Sequence, residues 1–154
     1  MTQIIPSWKI ERWNEANDKN TDRQQPAAGY IKPVIYVAGR YSDGNTLDDE
    51  EKEKNRNVMR YYSIKLMNRG FAVICPIEND EWAYDDGVIT YEDTLASDLA
   101  IIGKCDAIFF CPGWEKGKGT VIEHKYAVNK EDVEIFFDVP KKIEFDGEHC
   151  CPEW

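Results

Sequence analysis

The segment Pro112-Gly113-Trp114-Glu115-Lys116-Gly117-Lys118-Gly119 places Gly113, Gly117 and Gly119 close together, just before a stretch that reads as a helix from about Thr120 to Asn129. Glycines let a backbone come close to a ligand. A helix start adds free amides and a partial positive charge suited to an anion. The spacing matches neither a dinucleotide fingerprint nor a phosphate loop ending in Gly-Lys-Ser/Thr, and many such segments are simply turns. Glu123 lies in the first turns of that helix, as a solvated surface group or as a functional one. Asp98 stands in the middle of another helical stretch, among Leu95, Leu99, Ala100 and Ile101. Aspartate is a poor helix former, so the position carries a cost that a cap, a salt bridge or chemistry would explain. Tyr36 sits inside an apolar strand and reads as a core residue whose hydroxyl needs a buried partner. Carboxyl groups placed this way are the residue types that attack as nucleophiles or move protons.

Other residues suggest ligand contact less specifically. Arg40 and Ser42 follow the first strand, and Lys116 and Lys118 flank Gly117; all four suit a phosphate, and the lysines suit plain solvent equally. Trp82, Tyr84 and Trp114 are loop aromatics that stack on a planar ring or cap a core or an interface. Asp106, at the head of a strand, reads as a structural turn residue.

The elements that must position these residues alternate along the chain. Val34–Ala38 is a β-prone run ended by Gly39. Asp48–Arg69 reads as a helix, with Val58, Tyr62 and Leu66 on one face and Gly70 as its stop. Phe71–Cys75 is a second strand closed by Pro76, followed by an acidic, aromatic loop. Thr90–Gly103 reads as a helix with Thr90 and Asp93 as a cap pair and Leu95, Leu99 and Ile102 towards the core. Ala107–Cys111 and Val133–Phe137 are the third and fourth strands. This alternation predicts an α/β protein, a flavodoxin/Rossmann-like three-layer sandwich with a mainly parallel sheet of four or five strands. A fifth strand would lie at Lys142–Phe145, on the sheet edge. Ligands in such sheets bind beyond the carboxyl ends of the strands, where the glycines and acids gather. Residues 1–32 read as an arm and linker with a short helix around Trp8–Ala16, 33–138 as the domain, and 139–154 as a tail.

The ordered set Tyr36-Val37-Ala38-Gly39-Arg40-Tyr41-Ser42, Asn57, Gly70 to Pro76, Asp98-Leu99, Cys105 to Phe110, and Pro112-Gly113-Trp114-Glu115 with Gly119 and Glu123 resembles the nucleoside deoxyribosyltransferase-like superfamily, in particular its small branch common in bacteriophages and bacteria. The resemblance covers about residues 33–138. It implies cleavage or exchange of the N-glycosidic bond of a 2′-deoxynucleoside or its 5′-monophosphate. It implies Glu123 as nucleophile at C1′, Asp98 as the group that contacts and protonates the leaving base, and Tyr36 as the residue that holds the glutamate. It places Gly39, Arg40, Ser42, Gly113, Trp114, Gly117, Lys118 and Gly119 around sugar, base and phosphate. It implies a homodimer or larger homo-oligomer with a nucleoside or nucleotide as the small-molecule partner, and it requires no metal or organic cofactor. On this reading Glu123, near a helix start, stays ionised, and Asp98, on an apolar face, has the raised pKa. One departure stands out: many members carry a serine or aspartate where this chain has Gly117. That departure motivates the alternative of a non-catalytic, sequestering nucleotide-binding protein. A third reading is an interaction protein that uses its tryptophan-bearing arm.

Acidic residues outnumber basic ones 29 to 19 in the 154 residues, a formal charge of −10, which disfavours a nucleic-acid partner. No apolar run approaches the roughly 18 residues of a membrane span, and Met1 to Pro6 lacks the blocks of a signal peptide. The expectation is a cytoplasmic protein of a bacterium or phage-infected cell. Cys75, Cys105 and Cys111 read as small core hydrophobes with free thiols. His149-Cys150-Cys151 lacks the spacing of a metal site.

Overall fold

The computed structural model describes residues 32–44, 46–79 and 81–141. The anticipated arm helix, the edge strand at 142–145 and the Cys150-Cys151 pair lie outside these residues.

Four short runs rich in branched and aromatic residues form the strands β1 (Val34–Ala38), β2 (Ala72–Ile74), β3 (Ala107–Phe110) and β4 (Glu134–Phe136). They make one all-parallel sheet in the order β2-β1-β3-β4, with Ile35 beside both Val73 and Ala107. Alternation along each strand sends Ile35, Val37, Ala107 and Phe109 to one face and Tyr36, Ala38, Ile108 and Phe110 to the other; all eight are buried. A sheet apolar on both sides must be covered on both sides.

The helices do this. They are α1 (Asp49–Met67), the short α2 (Pro76–Asn79) and α3 (Glu81–Asp85), α4 (Tyr91–Ile102) and α5 (Lys118–Val128). Met59 and Leu66 of α1 join Ile35, Val37 and Phe109 in one core, while Ile102 of α4 and Ala127 of α5 join Tyr36, Ile108 and Phe110 in the other. The result is the three-layer α/β sandwich that the alternation predicts.

Local signals set the element ends. Asp48 and Glu51 form a reciprocal capping box at the start of α1. Thr90 accepts a hydrogen bond from the Asp93 amide at 3.1 Å and so caps α4. Asp106 Oδ2 accepts from the Val34 amide at 2.9 Å, tying the start of β1 to the start of β3, the structural role its position suggests.

Two expectations need correction. Val58 is 39% exposed, and the buried face of α1 is instead Met59, Ser63 and Leu66, with Tyr62 half-buried. Steps of four residues overshoot a helical turn by about 40° each, so Val58 has rotated away from Leu66, whereas Met59, seven residues back, has not. The region after β2 is also helical rather than a loop. Proline suits a first helical position, and Pro76 occupies it in α2.

Cys105 and Cys111 are buried and Cys75 half-buried. Burial pushes the Cys105 thiol up to about 11 and the Cys111 thiol up to about 12, so both stay protonated. Among the described residues no group of three or more His, Cys, Asp or Glu side chains is arranged to hold a metal, and no helix is long and apolar enough to cross a membrane.

Candidate functional site

In this strand order the chain leaves β1 towards β2 on one side and returns to β3 on the other. A crevice therefore opens beyond the carboxyl ends of β1 and β3. There lies a cleft of about 680 Å³, counting its open mouth. Five segments wall it: the loop after β1 from Gly39 to Asp43, Met59 of α1, the α2–α3 region, one stripe of α4, and the start of α5.

Asp98 and Glu123, 25 positions apart in the chain, both line this cleft. Each is nearly sealed by its surroundings, with 8% and 5% of its surface exposed. Tyr36, fully buried in β1, donates a hydrogen bond from its hydroxyl to Glu123 Oε1 at 2.9 Å. Glu123 Oε2 is buried without a hydrogen-bond partner, and so is the Tyr91 hydroxyl. Buried polar atoms are nearly always satisfied, so unsatisfied ones that line a cleft are poised for a ligand.

The electrostatics revise one expectation. Glu123 does not hold an ordinary carboxylate pKa: burial, reinforced by the negative charge of Asp98 and only partly offset by the Tyr36 hydroxyl, pushes it up to about 8. Its helix start does not rescue it. Glu123 is the sixth residue of α5, past the first turn where the helix field acts.

Most of the anticipated residues converge. Gly39, Arg40, Ser42, Gly117 and Gly119 line the cleft with Asp98 and Glu123, and Tyr84 lines it from α3. Others do not. Gly113 faces a neighbouring hollow with Lys116, on the far side of Gly39 and Arg40. Trp114 stacks on His124 with ring centres 4.5 Å apart and packs against Phe110, so it belongs to the aromatic cover of the second core. Lys118 meets the site through its backbone, donating to Asp43 Oδ1 at 3.0 Å, while its side chain is exposed. Trp82 is 64% exposed and Asn57 is exposed on α1; neither lines the cleft.

Sequence reasoning gave no individual site role to Tyr41, Asp43, Glu81, Tyr91, Thr94 and Thr120, and it turned Leu95 towards the core although Leu95 faces the cleft. A signal for part of this was present. Tyr91, Thr94, Leu95 and Asp98 follow the i, i+3, i+4, i+7 spacing of one helical stripe, so the aspartate predicts its companions. At the rim, Glu81 is held by the Tyr41 hydroxyl and by Arg56, whose Nη2 approaches Glu81 Oε1 to 2.5 Å.

A family model described as a domain of unknown function, DUF4406, matches residues 33–137, two thirds of the chain. The chain belongs to the DUF4406 family. No curated protein and no solved structure matches it. Every residue lining the cleft, from Gly39 to Glu123, falls inside the DUF4406 match.

Within this DUF4406 domain, Gly117 earns its place by packing. A Cβ there would lie 2.4 Å from Thr120 Oγ1 and 3.3 Å from Arg40 Cβ. Thr120 Oγ1 in turn donates to the carbonyls of Trp114 and Gly117 at 2.5 and 3.0 Å and closes the turn that starts α5. Gly117→Ala is therefore expected to destabilise the fold by about 1–3 kcal/mol, as overpacking does, read as a lowered Tm in thermal unfolding. An unchanged Tm would show that the turn is more yielding than its contacts.

Proposed function

We propose that the cleft binds a 2′-deoxynucleoside or its 5′-monophosphate and breaks or exchanges the N-glycosidic bond. The observation that carries this reading is Glu123, buried, held by Tyr36 on one oxygen and facing the cleft beside Asp98. Breaking a C1′–N bond gives the sugar oxocarbenium character, which a carboxylate beside C1′ stabilises and can trap as an ester. The leaving base departs with the bonding electron pair and needs a proton.

The Glu123 carboxylate attacks C1′ as the C1′–N bond breaks, and Asp98 delivers the proton to the departing base. Water or a second base then attacks C1′ and gives its proton to Asp98, and the ester bond to Glu123 breaks to free the carboxylate. The charge of Asp98 adds to burial in raising Glu123, and at neutral pH a proton stays on Glu123. The reaction needs that proton on Asp98. A substrate that buries its ring against Asp98 while placing an electron-poor C1′ at Glu123 favours the exchange. Tyr36, by bonding Oε1, stabilises the ionised Glu123 that attack requires.

The same raised Glu123 supports a second reading, a pocket that holds a nucleoside or nucleotide intact. A neutral carboxyl donates a hydrogen bond and does not attack, and Gly117 offers no side chain to a ligand. Incubation with a panel of 2′-deoxynucleosides and their 5′-monophosphates, followed by chromatography for free base, separates the two. Release of base supports the first reading. Tight stoichiometric binding by calorimetry with no release supports the second, and neither result sinks both.

A further inference from the structure

A 5′-phosphate on the ligand would need a cation or free amides at the start of α5, and this chain has filled that seat itself. Asp43, in the loop after β1, places Oδ1 3.0 Å from the Lys118 amide, the first residue of α5, across 75 positions of sequence. Its Oδ2 accepts from Arg40 Nη2 at 3.1 Å. Gly117, the residue before α5, has no side chain to cap the helix, so Asp43 supplies the cap from afar. The backbone bond from Lys118, with Arg40 beside it, holds the Asp43 carboxyl below its ordinary range, so it is charged at neutral pH.

Arg40 commits Nη2 to Asp43 and keeps a buried Nε without a partner, while the other cations are committed or turned away. Arg56 is paired with Glu81 at the rim, and among the described residues no lysine lines the cleft. Asp98 stands on the same walls and supplies no cation. A phosphate dianion placed here would face a fixed carboxylate in its own seat. A hydroxyl would instead find an acceptor in Asp43.

We propose that Asp43 is a specificity-determining residue that makes the cleft select an unphosphorylated, hydroxyl-terminated sugar and reject the 5′-phosphorylated form. The proposal rests on the N-glycosidic reading for its substrate but is a separate statement about charge. Asp43 adopts a left-handed backbone with φ 54°, which asparagine and glycine tolerate. Asp43→Asn removes the charge and keeps an acceptor for the Lys118 amide; Asp43→Gly vacates the seat.

The test measures binding and base release for one 2′-deoxynucleoside and its 5′-monophosphate, with inorganic phosphate as a third probe. It uses the wild type and both variants, with circular dichroism to confirm folding. The wild type is expected to favour the nucleoside at least about tenfold, and the variants to narrow or invert that ratio. A wild type that takes the monophosphate equally well or better overturns the proposal and leaves the N-glycosidic reading standing. If the wild type takes neither compound, the N-glycosidic reading falls instead. The role of Asp43 is then decided by inorganic phosphate: binding gained by Asp43→Gly supports it, and equal behaviour of all three proteins overturns it.

Discussion

Glu123→Gln is expected to make the protein more stable at pH 8 and, on the proposed chemistry, to stop it working. The stability side follows from proton linkage. Glu123 in the folded protein sits at about 8, against an ordinary value of 4.5. Below the ordinary value both folded and unfolded chains are protonated, and nothing is lost. Between the two values the unfolded chain gives up its proton while the folded one keeps it, so stability falls as pH rises. Above about 8 both forms are ionised, the slope ends, and the cost of a buried charge remains. Each tenfold difference in proton affinity is worth about 1.4 kcal/mol, so the full penalty is of the order of a few kcal/mol. Glutamine is neutral throughout and keeps a carbonyl to accept from Tyr36. Its thermal unfolding curve should coincide with the wild type near pH 4 to 5 and lie several degrees higher at pH 8. Loss of the nucleophile should lower base release by about 10³-fold or more. Equal Tm values at both pH values would show that Glu123 is not desolvated. Undiminished release would take the nucleophile's role from it.

The same residue shows what a sequence discloses and what it conceals. The sheet was legible because strands buried on both faces are written as continuous apolar runs, such as Ile35 to Ala38 and Ala107 to Phe110. The start of α4 was legible because Thr90 and Asp93 cap through local bonds. The convergence of Asp98 and Glu123 was accessible through resemblance, since nothing in their spacing brings two helices together. Their environment was not accessible. Whether a glutamate in the second turn of a helix is solvated or sealed depends on α4 and β1 packing over it, which is tertiary information. Asp43 illustrates the same limit: an aspartate in a polar loop reads as a turn residue, and its bond to Lys118 spans 75 positions. Trp114 fails in the opposite direction, because a tryptophan in a glycine-rich loop looks like a ligand contact until His124 is found stacked on it.

Asp98→Asn tests whether the two carboxyls act as one titrating unit. Asp98 is the second cause of the raised Glu123 pKa, behind burial. Removing its charge should lower the Glu123 value without restoring it to normal. The pH-dependent loss of stability that Glu123 imposes should therefore shrink in Asp98→Asn but persist. In a Glu123→Gln background, the part of the Asp98→Asn effect that acts through Glu123 should vanish. Such non-additivity between the two changes is the signature of direct coupling. Base release should fall about 10²–10⁴-fold with the proton donor gone, and most steeply for bases that leave poorly without protonation. Thermal unfolding of the single and double variants between pH 5 and 8 measures the coupling. If the pH-dependent effects of the two substitutions simply add, Asp98 does not influence Glu123. A cleft built on two independent acids would then lack the shared proton that the proposed reaction passes from enzyme to base.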